Sequence, residues 1–170
     1  MKSTLLITIL VLAVVGFFVF SIKGQNTKNS NTFTSPSLPA QEAVDIKATF
    51  AIFTNGTFRI FTDTKYHNIS PDVFIASLNP NTVNVKKSDI TWGDFFATLP
   101  MKLEQNCLTT GTGQVFCSNE TQTLKFYING QLDKDALNRI INNGDQLLVS
   151  YGDEKAEEID KQLQQVPSLE

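Results

Sequence analysis

The chain has 170 residues, of which 41% are hydrophobic and 18% charged, and its formal net charge is -3. This composition supports one hydrophobic core with an appendage and excludes a chain disordered throughout. Only two of the fourteen basic residues are arginines, so no Arg-rich surface is available for bidentate phosphate or base-edge contacts, which argues against a nucleic-acid partner.

After a short flank, residues 1–4, residues 5–22 read LLITILVLAVVGFFVFSI, 18 positions without a charge. At about 1.5 Å per residue they span roughly 27 Å, close to the hydrocarbon core of a bilayer. An uncleaved single-pass anchor is expected. A cleaved signal peptide is the competing reading, but it calls for a shorter apolar region followed by a small-x-small site, and FVFSIKGQN meets neither condition well. Lys2 precedes the segment and Lys23 and Lys28 follow it, so flanking charge does not set its orientation. Residues 23–44 are rich in Asn, Ser, Thr, Pro and Gln and read as a flexible linker, because such a stretch buries too little apolar surface to offset ordering its backbone.

The folded domain is expected over residues 45–166, with 167–170 as a tail. In KATFAIFTNGTFRIFT, residues 47–62, two apolar runs flank Asn55-Gly56, a dipeptide that supplies the positive φ values of a type I′ turn; this predicts a β-hairpin. A second hairpin is expected in residues 73–87 around Asn79-Pro80-Asn81, with Val83 and Val85 alternating against Asn84 and Lys86. In TWGDFFATLP, residues 91–100, Trp92, Phe95, Phe96 and Leu99 recur at helical spacing, and Thr91 with Asp94 forms a capping-box pattern. This predicts a short helix ended by Pro100, its aromatic stripe facing the core. Residues 123–130 alternate as a strand with one wet face, and residues 145–152 form another strand after the Asn142-Asn143-Gly144-Asp145 turn. Residues 153–166 place Ile159, Leu163 and Val166 on one face of a C-terminal helix, and the six acidic groups from Asp153 onward are read mostly as a solvated face. The fold class is therefore α+β, a mainly antiparallel sheet of hairpins with one central and one C-terminal helix, preceded by the transmembrane helix.

Cys107 and Cys117 are the only cysteines, separated by LTTGTGQVF. Redox catalysts of the thioredoxin kind use Cys-x-x-Cys at a helix N-terminus, where the dipole and a nearby cation lower a thiol pKa. Here the intervening residues read as a hairpin tip without Lys, Arg or His. A disulfide across the hairpin suits this spacing; free buried thiols and a redox or metal role are the other readings. If the bond forms, the domain lies on the oxidising side of the membrane and the N-terminus is cytoplasmic.

His67 is the only histidine, too few for a His-rich zinc site. Ser70 and Asp72 stand near it, but no Gly-x-Ser-x-Gly elbow is present. Asp133 and Asp135 lack the further positions of an EF-hand and read as a polar turn. Asn55, Asn68 and Asn119 open three glycosylation sequons, about as many as chance gives. No catalytic residue, cofactor or metal is assigned. Tyr66, His67 and the tip between the cysteines are the candidates for surface contact.

TWGDFF, the two cysteines, LKFYING and NNGDQLLVSYGDEKAEEIDKQLQQV together resemble a group of small membrane-anchored proteins of archaea and candidate-phylum bacteria, with a TLGDFF-like helix, a FYVNGK-like strand and a GDxIxISYG-like end. The resemblance covers about residues 47–166. Some members of the group are labelled protein-disulfide isomerase, which implies an alternative role as a thiol-disulfide oxidoreductase using Cys107 and Cys117. Histidines recurring in the group's strands imply a metal-binding surface; the matching stretches here, KATFAIF, VFIASL and NVKK, contain none, so that feature does not carry over. At fold level the strand-NG and GD-strand ending also resembles ubiquitin-like β-grasp domains. The function expected is a single-pass, membrane-anchored extracytoplasmic module that binds a protein or small ligand without catalysis.

Overall fold

In the computed structural model, residues 42–169 are described, and the expected anchor and most of the linker lie outside them. Among the described residues no helix is long and apolar enough to cross a membrane.

KATFAIF lacks a polar alternate because its strand is covered on both faces. β1 (Ala43–Thr54) is fully buried from Ala48 to Thr54, and it lies beside β10 (Gln146–Gly152), which is buried from Leu147 onward. These two central strands run parallel, with Phe50 opposite Leu147 and Phe53 opposite Ser150. The sheet is therefore mixed rather than uniformly made of hairpins. Burial on both faces is the usual setting of a parallel pair, and it explains the near-continuous apolar runs of both strands.

On one side of β1 stand β4 (Thr82–Lys87) and then β3 (Val73–Ile75), and on the far side of β10 stand β8 (Thr123–Ile128) and then β9 (Gln131–Leu132), each pair antiparallel. The expected hairpin around Asn79-Pro80-Asn81 forms, with Val85 opposite Val73 and Val83 opposite Ile75. The hairpin at Asn55-Gly56 also forms, both turn residues having positive φ, but its second strand, β2, is only Thr57–Phe58. β4 pairs with β1 as far as Thr49, the Phe50 N–H donates to the Asn81 carbonyl, and β2 pairs with β1 only at Phe53 and Thr54 before the Arg59 N–H makes a last bond to the Ile52 carbonyl. The chain then leaves the sheet, exposing Ile60 and turning Phe61 into the core.

Helix α1 (Trp92–Thr98) has the expected capping box: the Asp94 N–H donates to Thr91 Oγ1 and the Thr91 N–H donates to Asp94 Oδ2. The helix lays Trp92, Phe95 and Phe96 against Phe50, whose ring meets Phe61, Phe95 and Phe96 edge-on with centroids 5.0 to 5.8 Å apart. Edge-to-face aromatic pairs of this kind contribute about 1 kcal/mol each beyond their buried area. A second sheet of β5 (Lys102–Leu103), β6 (Cys107–Thr109) and β7 (Val115–Cys117) packs Leu108 and Phe116 on the same core. The opposite face of the large sheet is covered by α2 (Ala156–Leu163), where Ala51, Phe53, Leu148 and Ile159 form a smaller core. Tyr127, expected on a wet face, packs against this cluster.

Candidate functional site

Cys107 and Cys117 stand directly opposite each other on β6 and β7 and are joined by a disulfide, with Cα atoms 4.1 Å apart. A non-hydrogen-bonded antiparallel pair brings Cβ atoms within reach of such a bond. The clasp closes a tip in which the Thr110 hydroxyl accepts the Gln114 N–H and shares a hydrogen bond with Thr112 Oγ1. Gly113, with φ of 85°, makes the reversal.

Beneath this tip is a cavity of about 390 Å³. Ile52 of β1, Phe61, Tyr66 and Leu108 of β6 wall it from the core side, each at most 9% exposed. Met101, Thr110 and Gly111 close it from the small sheet, while Phe58, Arg59 and Ile60 line it from the segment leaving β2. Ile60 is 68% exposed, so the mouth carries an apolar residue with no core partner.

Arg59 is held at this cavity by three contacts. Its Nε donates to Thr54 Oγ1 at 2.6 Å, Nη1 donates to Gln114 Oε1 at 3.3 Å, and the guanidinium lies 5.2 Å from the Phe116 ring centroid. Cation–π contact and hydrogen bonding fix the plane of the group. A guanidinium has five N–H donors, and among the described residues the two on Nη2 have no acceptor.

The two residues read from sequence as surface candidates differ: Tyr66 is buried and His67 is partly exposed. Tyr66 is buried, edge-on to Phe61 and with Lys65 Nζ 5.0 Å over its ring, and its hydroxyl presses on Gly111. It ends a short 3-10 turn, Thr64–Tyr66, capped by Asp63; this turn swings the ring inward, which the polar sequence around it concealed. His67 is half-buried and is not among the residues lining the cavity: its Nε2–H donates to the Phe61 carbonyl at 2.7 Å, and its Nδ1 is buried without a partner among the described residues. Ser70 Oγ accepts the Asp72 N–H, so these three residues do not form a hydrogen-bonded triad. Asp133 pairs with Arg139 and accepts the Asp135 N–H, stabilising a turn.

The structure thus brings Tyr66 and the disulfide hairpin tip together at one cavity, with His67 behind it. Arg59 and Phe61, from the segment leaving β2, and Met101, about forty residues on, belong to the same site, but nothing in the sequence signals that these segments meet. What this arrangement can do chemically is hold an apolar body against Phe61, Tyr66 and Leu108 while Arg59 donates to an acceptor at the mouth.

Compared with family models, with curated proteins and with solved structures, the chain matches none.

Proposed function

We propose that this domain is a non-catalytic binding module that takes a small, largely apolar molecule with an anionic end into the cavity beneath the Cys107–Cys117 tip. The observation that carries the reading is the cavity itself: buried apolar walls at one end and a fixed guanidinium with free donors at the other. Its volume falls in the range of small-molecule sites, which are mostly apolar with a few placed polar groups.

In this reading the domain is extracytoplasmic and tethered to the membrane by residues 5–22, with the N-terminus in the cytoplasm and no nucleic-acid partner. The disulfide supports an oxidising compartment. The strand order β4–β1–β10–β8–β9, with a parallel central pair and α1 between β4 and β8, supports the β-grasp likeness. The placement of both cysteines opposite each other in a hairpin favours a structural bond over exchange chemistry.

Calorimetric titration of the full chain with 4-phenylbutyrate and with its neutral amide tests the proposal. One carboxylate should bind saturably per chain, about tenfold tighter than the amide, and Arg59→Gln should abolish the difference; a tenfold ratio is the scale of one charge-assisted hydrogen bond. Equal affinities for the two probes, or no saturable binding, would overturn it.

A further inference from the structure

The rim of the cavity beneath the disulfide tip is hydrogen-bonded to itself on one side and open on the other. In the tip, the Thr110 N–H donates to the Gln114 carbonyl and the Gly113 N–H to the Thr110 carbonyl. The 3-10 turn that carries Tyr66 is closed in the same way, by the Tyr66 N–H on the Asp63 carbonyl. Residues 60–62, between β2 and that turn, differ. Among the described residues none of their N–H groups has an acceptor, and the carbonyls of Arg59, Ile60 and Thr62 have no donor. Ile60 is 68% exposed and Thr62 is exposed as well, so water or another chain can reach these groups.

The segment is nonetheless held in place. The Arg59 N–H donates to the Ile52 carbonyl at 2.8 Å, the Phe61 carbonyl accepts the His67 Nε2–H at 2.7 Å, and the Phe61 ring is buried edge-on between Phe50 and Tyr66. Fixed backbone groups with unmet hydrogen-bonding capacity suit an added peptide, because little ordering remains for the protein to undergo on binding. Charge narrows the class further. Arg59 is the only charged residue lining the cavity, so it matches one carboxylate and not a multiply charged group. The end of a polypeptide combines what this place lacks: a carboxylate, an apolar side chain on the same Cα, and backbone donors and acceptors just upstream.

We infer that the ligand of this cavity is the C-terminal end of a peptide whose last residue is large and apolar. Its carboxylate meets Arg59, its last side chain enters against Phe61, Tyr66 and Leu108, and its preceding backbone pairs with residues 60–62. This rests on the reading of the cavity as a site for an apolar body with an anionic end, and it names the class of molecule that supplies both.

Calorimetric and NMR titration of the full chain with acetyl-Ala-Ala-Phe, its C-terminal amide, N-acetylphenylalanine and 4-phenylbutyrate tests this. The tripeptide acid should bind about tenfold tighter than N-acetylphenylalanine, the scale of two backbone hydrogen bonds, and about tenfold tighter than its own amide. It should shift the Ile60 and Thr62 amides more than 4-phenylbutyrate does. N-methylation of its Ala–Ala and Ala–Phe bonds should remove the advantage over N-acetylphenylalanine. Thr62→Pro, which deletes an N–H that bonds nothing among the described residues, should weaken the tripeptide severalfold, and the N-methylated probe decides the matter if that variant does not fold. If 4-phenylbutyrate binds but the tripeptide gains nothing over N-acetylphenylalanine, matches its amide, or keeps its affinity when N-methylated, the inference falls and the proposed site stands. If the tripeptide alone binds, the free small molecule falls and the chain end stands. If no carboxylate binds, both fall.

Discussion

The Tyr66 hydroxyl rests on Gly111 so closely that a methyl group at position 111 would overlap it, and the same methyl would come within 2.9 Å of the Pro100 carbonyl oxygen. The buried ring and the hairpin tip are therefore fitted to each other through the absence of a side chain. Gly111→Ala should destabilise the domain by about 1–3 kcal/mol, the range of overpacking in a close-fitted site. Adding Tyr66→Phe should recover only part of the loss, because the Pro100 contact remains. Denaturant unfolding of the two single variants and the double variant measures both effects; a neutral Gly111→Ala would contradict this contact.

The disulfide closes a loop across a sequence separation of 10, for which the chain-entropy model gives about 3 kcal/mol. Replacing both cysteines with serine should lower the unfolding free energy by roughly that amount and loosen the tip over the cavity. Urea unfolding of the oxidised chain and the double variant tests this. A loss below about 1 kcal/mol would show that the hairpin holds its shape without the clasp.

Acid should release the turn at residues 133–139 late in the titration. The Arg139 Nε–H, 2.8 Å from Asp133 Oδ2, and then the Asp135 N–H hold the Asp133 carboxyl below its ordinary value of 3.8. A carboxyl lowered in the folded state binds protons more weakly there than when unfolded. Its contribution is thus complete above pH 3.8 and is lost as the pH falls through the lowered value. Because the Arg139 side chain is exposed and Asp133 only partly covered, solvent screens the pair and the contribution is small. NMR titration of side-chain carboxyls should find Asp133 among the last to protonate; protonation above 3.8 would contradict the pairing.

Much of this fold is legible where its cause is local. Thr91 and Asp94 close their capping box within one turn, Asn55-Gly56 supplies its own positive φ, and Val83 and Val85 display the period of their strand. What escapes the sequence depends on distant partners. The parallel pairing of β1 with β10 joins residues almost a hundred positions apart, and the edge of β1 up to Phe50 is taken by β4 and Asn81, more than thirty positions along the chain. The cavity is harder still, since Ile52, Arg59, Tyr66, Met101 and Leu108 come from five segments. Tyr66 sits in polar surroundings yet packs inward. Glu154 looks like one of several solvated acids, but its side chain pins the Gly56 N–H.

The central claim is that the cavity beneath the disulfide tip is a binding site, and the most direct measurement is residue-by-residue NMR of the isotopically labelled full chain during titration with 4-phenylbutyrate. The account predicts saturable shifts concentrated at Arg59, Phe61, Tyr66, Leu108 and Gly111, with His67 moving less. Shifts scattered over the surface, or gathered elsewhere with these five unmoved, would contradict it.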